Sequence, residues 1–274
     1  MNTKEMVSIK NEIERNNQEG FGWERQVHYD TYNRILGYYQ VCSVLDYARG
    51  TTLLDMPCGD GYITGMLASK FKRTVGIDAS KKRLDKCKNL YADVEFHHAL
   101  IEEFTTDEKF DTITMLNILE HVNNPVEVLQ KAESLLAPDG IIIVHVPNAH
   151  AVNRKIAKIM GTLESCEELS PFDINVAGHR RSYTMKTLHD EVVNAGLNVI
   201  NGGGVFYKML STPQMDWFLA NGLWEDGGFG WGRVGEEKSK NWKTEFCRAC
   251  YEYGKLYPED CNIVYVCAEK ASLP

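Results

Sequence analysis

The sequence predicts an α/β fold, a doubly wound, mostly parallel seven-stranded sheet with an insertion before the last strand. Three observations predict it. Short apolar runs bounded by turn residues recur at 52–56, 73–77, 92–96, 110–116 and 140–146. Helix-like segments fall between them at about 62–71, 80–90 and 124–137. The first run ends in an acidic residue and a glycine-bearing loop that opens a helix, Asp55-Met56-Pro57-Cys58-Gly59-Asp60-Gly61. Such alternation sets buried strands in parallel and covers both faces of their sheet with helices.

Taken in order, residues 1 to about 20 are polar and charged, and are expected to be frayed or loosely helical. Phe21 to Tyr47 is rich in aromatics, Trp23 among them, and after Asp30 the residues Tyr32, Ile35, Leu36, Tyr39 and Ser43 follow helical spacing. Ala137-Pro138-Asp139-Gly140 reads as a tight turn ending a helix ahead of the fifth strand, Ile141 to Val146. Residues 184–195 form an amphipathic helix, and 197–201 a short strand ahead of Gly202-Gly203-Gly204. Residues 207–260 read as irregular, with Gly227, Gly228, Gly230 and Gly232 around Phe229 and Trp231 suggesting a mobile loop. A last strand spans Asn262 to Cys267. The whole is expected as one domain: a helical lid over 1–48, a cofactor-binding core over 49–200, and a substrate-side insertion plus last strand over 201–274.

Composition narrows the function. Of 274 residues, 43% are hydrophobic and 25% charged, enough to bury a large core. A net charge of −8 argues against a nucleic-acid partner, since phosphate binders display a basic face. The basic clusters are small: Arg154, Lys155 and Lys158, and His179-Arg180-Arg181. No apolar run follows a basic start, and none reaches the roughly 18 residues of a membrane span. Eight scattered cysteines suggest reduced thiols, so a cytoplasmic protein with no membrane partner is expected.

The loop after the first strand carries the functional signal. Gly59 and Gly61 permit close approach of a ligand to the backbone. Asp78 ends the second strand 23 residues beyond Asp55, the spacing at which a carboxylate accepts from two ribose hydroxyls. A dinucleotide loop would have a third glycine where this chain has Thr64. Asp55 and Asp60 would also repel a pyrophosphate, yet suit an ammonium.

On these residues the chain resembles the class I S-adenosylmethionine-dependent methyltransferases, a Rossmann-like family, from about Tyr29 to Ala195. The first motif is matched by Leu54 to Gly61, departing at Pro57, where glycine is usual and a backbone donor is lost. Asp78 matches the second motif. The fourth is matched by Met115-Leu116-Asn117-Ile118-Leu119-Glu120-His121-Val122, followed by Asn124-Pro125. The resemblance implies S-adenosyl-L-methionine as cofactor, held by Tyr29, Arg34, Asp55, Pro57, Gly59, Gly61, Asp78, Ala79, Ile101, Glu102 and Leu116. In it, Arg34 pairs with the methionine carboxylate, the 21–40 segment closes as a lid, and adenine lies beside Leu100, Ile101 and Glu102.

Methyl transfer from a sulfonium is an in-line displacement, and a hydroxyl acceptor must also lose its proton. Candidate bases beyond the strand ends are His121, His145, Asn148, His150 and His179. His121 and His179 are expected on opposite sides of the cleft, at least one serving as base, with Glu120 as a third catalytic residue. Glu120-His121 resembles ubiquinone-pathway O-methyltransferases and plant small-RNA end methyltransferases, some of which bind a divalent metal through Glu-x-x-Glu-His and a later His. Asn117 replaces the first of those carboxylates, which weakens a hard-cation site, so no metal is assigned. Cys247-Arg248-Ala249-Cys250 with Cys261 and Cys267 is not read as a zinc site, because the latter two are about 20 Å apart along one strand. The runs Phe206 to Ser211 and Tyr257 to Cys261 are similar to methyltransferases of sugars and surface polysaccharides. The expected partner is thus a small polar molecule, a nucleotide-sugar among the candidates, and the expected reaction O-methylation of a sugar or similar metabolite. N-methylation, an NAD-linked sugar enzyme and a non-catalytic protein retaining the fold are the alternatives.

Overall fold

The computed structural model describes residues 3–20, 24, 25, 27–224 and 241–271. Seven strands form one sheet: β1 Thr52–Asp55, β2 Arg73–Asp78, β3 Glu95–His98, β4 Phe110–Leu116, β5 Leu136–Pro147, β6 Leu197–Tyr207 and β7 Cys261–Lys270, in the order β3-β2-β1-β4-β5-β7-β6. The first five are parallel, and β7 lies antiparallel between β5 and β6. The strand order reverses between β1 and β4, which opens a crevice at their C-terminal ends where ligands bind in such sheets.

The parallel strands read as near-continuous apolar runs because helices cover both faces. Leu53 and Leu54 are adjacent in β1 and both fully buried, yet they enter opposite cores, as the period-two alternation of a strand requires. Leu54 packs with Ile77, Val128, Leu129, Leu188 and Val192, from the side of helices α5 (Pro125–Leu135) and α7 (Met185–Asn194). Leu53 packs with Leu36, Leu67, Ile143, Phe206 and Tyr251, beneath α2 (Asp30–Leu45), α3 (Tyr62–Ala68) and α9 (Trp242–Leu256). Helix starts follow local chemistry. Asn124 caps α5 with Pro125 in its first turn, and Thr184 forms a capping box at α7.

Four expectations are corrected. The polar N-terminal segment is a regular helix, α1 (Thr3–Gly20), because its acidic side chains find partners across the crevice rather than water alone. Ala137 to Gly140 belongs to the start of β5, which pairs with β4 from Leu136 onward. β6 does not stop before its glycines but runs through them, and through the boundary expected between 200 and 201. The glycines are strand residues because neighbours leave no room for a side chain: a Cβ on Gly204 would stand 2.6 Å from both Pro258 Cα and Cys261 Sγ. The region read as irregular holds α8 (Thr212–Asn221) and α9, whose aromatics fill the core; Tyr39 stacks on Tyr251 at 4.8 Å. The glycines and aromatics at 227–232, together with Phe21 and Trp23, lie outside the described residues. Among the described residues, no helix is long and apolar enough to cross a membrane.

Candidate active site

A cavity of about 780 Å³ lies along the C-terminal edge of the sheet, from the loop after β1 to the segments after β4 and β6. The sequence-predicted cofactor and catalytic residues all line it except Gly61, and of the further candidate bases Asn148 does while His145 and His150 do not. The two loop glycines therefore do different work. Both have positive φ, but a Cβ on Gly59 would meet nothing within 4 Å, whereas one on Gly61 would collide with Cys87 and Tyr91. Gly59 keeps the crevice open to a ligand; Gly61 lets the start of α3 pack on α4 (Lys81–Leu90).

The acidic residues at the ends of β1 and β2 are built differently. Asp55 is buried, and its oxygens accept from Thr64 Oγ1 at 2.5 Å and Thr114 Oγ1 at 2.7 Å. Burial outweighs these bonds and pushes its pKa up to about 6. Thr64, which in sequence served only as a departure from the dinucleotide pattern, is thus the residue that fixes Asp55. Asp78 accepts from Gly59 N at 2.9 Å and Ser80 N at 2.8 Å, so it shapes the loop while lining the cavity. Burial raises its pKa, opposed by Arg83 and by the two backbone bonds. Ala79, Ile101, Glu102 and Leu116 continue the same wall, the middle two from a single 3-10 turn after β3.

The N-terminal helices cover this end. Ser80 Oγ and Lys81 N donate to Glu19 of α1 at 2.8 and 2.6 Å. Glu14, also on α1, accepts from Arg180 and from Asn123 at 2.9 Å each, and Arg15 pairs with Glu103. Tyr29 lines the cavity with φ 61°, a left-handed conformation costly for a tyrosine, just before α2. Arg34 is turned to Asp30, 2.8 Å away, at a half-exposed surface. The guanidinium more firmly seated in the wall is Arg25, which sequence reasoning missed. It bonds Asp60 at 3.0 Å and Asn33 O at 3.1 Å, and lies 4.7 Å over the Tyr62 ring.

At the other end the structure gathers Glu120, His121 and His179. The histidines are not on opposite sides of the cleft; their rings meet edge to face at 4.9 Å. The segment before α7 folds back onto the turn after β4, with Arg180 N donating to Glu120 O at 2.8 Å and His121 Nδ1 lying 3.3 Å from Gly178 O. His179 Nδ1 stands 3.6 Å from Asp173. Burial, then the neighbouring His179, pushes His121 down to about 3, and burial lowers His179, so both rings are neutral near pH 7. Glu120 is the converse: burial raises its pKa to about 8, and neither oxygen has a hydrogen-bond partner among the described residues. From about pH 4.5 to 8 the unfolded chain has lost that proton while the folded one keeps it, so the contribution of Glu120 to stability falls as pH rises through this window.

Ligand atoms of these three residues lie within 4.8 Å of one another. One buried carboxylate that accepts no hydrogen bond among the described residues and two neutral imidazoles are a donor set able to hold a divalent cation, although the sequence assigned none. Of the other candidate bases the two histidines lie off the cavity, and Asn148, which lines it, is an amide tied to backbone carbonyls. His145 is fully buried against Gln40, Ser43 and Tyr265; Asn148 ties Glu259 O and Cys261 O together; His150 is at the surface with Glu167. The eight cysteines are free thiols, and among the described residues the only metal-competent cluster is the glutamate–histidine one.

A parallel sheet with an antiparallel seventh strand, and a nucleoside crevice at its switch point, define an architecture that comparison places in a family. Residues 48–195 match the methyltransferase domain family, and the chain belongs to it, as a class I S-adenosylmethionine-dependent type. It is 30% identical over 109 residues to the ubiquinone biosynthesis O-methyltransferase of Actinobacillus pleuropneumoniae serotype 7 (strain AP76), a match covering 36% of this chain and 47% of that protein. The chain thus spans about half the length of the curated relatives it matches. Its fold is similar to a Thermotoga maritima structure described as a SAM-dependent methyltransferase and possible histamine N-methyltransferase, with TM-score 0.56, 15% identity, and 88% and 91% of the two chains covered. It is also similar to the [4+2]-cyclase SpnF, with TM-score 0.53, 16% identity, and 85% and 80% covered. One fold therefore carries more than one reaction, and the chemistry must be argued from the site.

Proposed function

We propose that this chain transfers the methyl group of S-adenosyl-L-methionine to an oxygen of a small polar acceptor, a sugar or similar metabolite. The observation that carries this reading is one cavity joining the Gly59–Asp78 nucleoside end to the Glu120–His121–His179 end. The nucleoside end has the backbone clearance and the carboxylate for a ribose. Of the two neutral imidazoles His179 is the better placed to take the proton that a hydroxyl loses as its oxygen attacks the methyl carbon, because His121, held down to about 3, is the weaker base. The cavity supplies alignment and excludes water, which does much of the work in a displacement with a good leaving group. A nucleotide-sugar fits the proposal as acceptor, and the free thiols accord with a cytoplasmic location.

The test is calorimetry with S-adenosylhomocysteine, followed by mass-spectrometric screening of sugars, nucleotide-sugars and amines with S-adenosylmethionine. No cofactor binding would sink the proposal, and products methylated only on nitrogen would move it to amine acceptors. A second reading is favoured by the carboxylate of Glu120, which accepts no hydrogen bond among the described residues and has His121 Nε2 3.7 Å away: that Glu120, His121 and His179 hold a divalent ion, which would polarise the acceptor oxygen. Loss of activity with a chelator and recovery with added divalent ion would select it.

The N-terminal helices fit the role of lid, since α1 bridges the two ends of the cavity through Glu14 and Glu19. Cofactor binding is expected to slow amide exchange in α1 and in residues 27–40. Equal exchange with and without S-adenosylhomocysteine would reject the lid.

A further inference from the structure

Lys208 follows β6 directly and lines the cavity, yet is only 3% exposed. Its Nζ donates to Thr212 Oγ1 at 2.8 Å, the one hydrogen bond it makes among the described residues, and lies 4.9 Å from the Tyr32 ring centre. An ammonium has three N–H groups, so two are left without an acceptor there. No carboxylate of the described residues forms an ion pair with it. Asp173 attracts it from farther off, but Asp173 is already engaged. It pairs with Arg154 at 3.5 Å and accepts from Ser170 N and Oγ at 2.8 Å each.

Two more polar groups of the same wall lack partners. Tyr32 OH and Asn153 Oδ1 are both buried without a hydrogen bond, and both residues line the cavity. Buried polar atoms in folded proteins are nearly always bonded, and exceptions mark strain or a missing ligand. The local charge has a definite sign as well. Arg154 and Lys208 face one carboxylate, Asp173. Burial, then the repulsion of Arg154, lowers Lys208 to about 7, the mark of an ammonium lacking a counterion.

We infer that Lys208, with Asn153, forms a subsite for an anionic group, a carboxylate or a phosphate, carried by the methyl acceptor. The inference rests on the proposed methyltransferase reading and adds the chemical class of its substrate: an acidic rather than a neutral sugar-like molecule. An anionic oxygen beside Nζ supplies the missing acceptor and the missing charge together, and a charge-assisted bond in so dry a place is stronger than a neutral one. Asn153 Oδ1 can accept from a hydroxyl of the same molecule. With the anion held at Lys208, the rest of the acceptor extends along the cavity, whose wall includes His179 and His121.

The experiment titrates the full chain, saturated with S-adenosylhomocysteine, with glucose, glucuronate and glucose 6-phosphate at one ionic strength. At least one anionic sugar is expected to bind about tenfold or more tighter than glucose, and the comparison of the two anions assigns carboxylate or phosphate. In Lys208→Met the preference is expected to vanish while S-adenosylhomocysteine affinity stays unchanged, and in Lys208→Arg it persists. Should Lys208→Met fail to bind S-adenosylhomocysteine, Lys208→Gln supplies the same comparison. Equal binding of the three sugars, binding of none, or an anion preference that survives loss of the charge overturns the inference. Failure of the unaltered chain to bind S-adenosylhomocysteine instead overturns the methyltransferase reading beneath it.

Discussion

Alanine at His121 or at His179 is expected to lower turnover by roughly 100-fold or more in at least one of the two variants, with S-adenosylhomocysteine affinity unchanged. The expectation follows from what the two rings share. They touch at 4.9 Å, both are held neutral, and both line the same cavity as Asp78. A neutral imidazole can accept a proton as the acceptor hydroxyl attacks; a protonated one cannot. Because the rings are neighbours rather than opposed, the two substitutions should not be additive: once one ring is lost, removing the other costs less than it would alone. The measurement is single-turnover methyl transfer to the acceptor found by screening, with calorimetry as the control for cofactor binding. Near-normal rates in both variants would mean that no histidine takes the proton and that alignment alone drives transfer. A rate restored by divalent ions in the unaltered chain after chelation would reassign both rings as ligands.

Asp78→Ala should weaken S-adenosylhomocysteine binding by about 1–3 kcal/mol, the range for losing a charged acceptor of hydrogen bonds. Part of that loss is indirect, since Asp78 also receives Gly59 N and Ser80 N and so shapes the loop. Asp78→Asn separates the two effects. It keeps one carbonyl oxygen and the side-chain volume, so it should preserve more of the loop while still losing the charge. Dissociation constants for both variants, with thermal unfolding to confirm folding, decide the matter. Unchanged affinity in Asp78→Ala would remove this residue from the ribose site.

Much of this fold could be read directly because its core strands are buried on both faces. Residues 110–116 hold Phe110, Ile113, Met115 and Leu116 among small threonines, and β4 occupies that range, buried at all positions but Asp111. The strand-end acids and Gly59 were legible for the same reason, since a nucleoside crevice at a switch point demands particular residues at particular distances. Where reading failed, a residue had a second use that its type conceals. Gly202 to Gly204 looked like a loop, but they are strand residues that make room for Tyr265, Pro258 and Cys261. The polar segment before residue 20 was expected to be frayed or loosely helical, but its Glu14 is buried against Arg180 and Asn123. The histidines could be placed at the right sheet edge, but their adjacency depends on how the segment before α7 folds back, which no periodicity encodes. Lys208 left no signal at all, because lysine is ordinarily a surface residue and its burial is decided by α2 and α8 together.

The position of β7 bears on how the molecule is made. It is the last strand in sequence but not in space, inserted between β5 and β6 with pairs running from Ile142↔Ala268 to Pro147↔Ile263 on one side and from Leu197↔Lys270 to Tyr207↔Cys261 on the other. During synthesis β5 and β6 therefore emerge with nothing between them, and residues 208–260 must follow before the strand that joins them appears. Until then two apolar strand edges wait side by side, unpaired, in a nascent chain that already holds β1 to β4. Asn148, which bonds Glu259 O and Cys261 O, can close only when that strand arrives. The part of the cavity lined by Lys208, Asn148 and Asn262 is consequently completed last, after the part at the ends of β1 and β2 has had all of its strands.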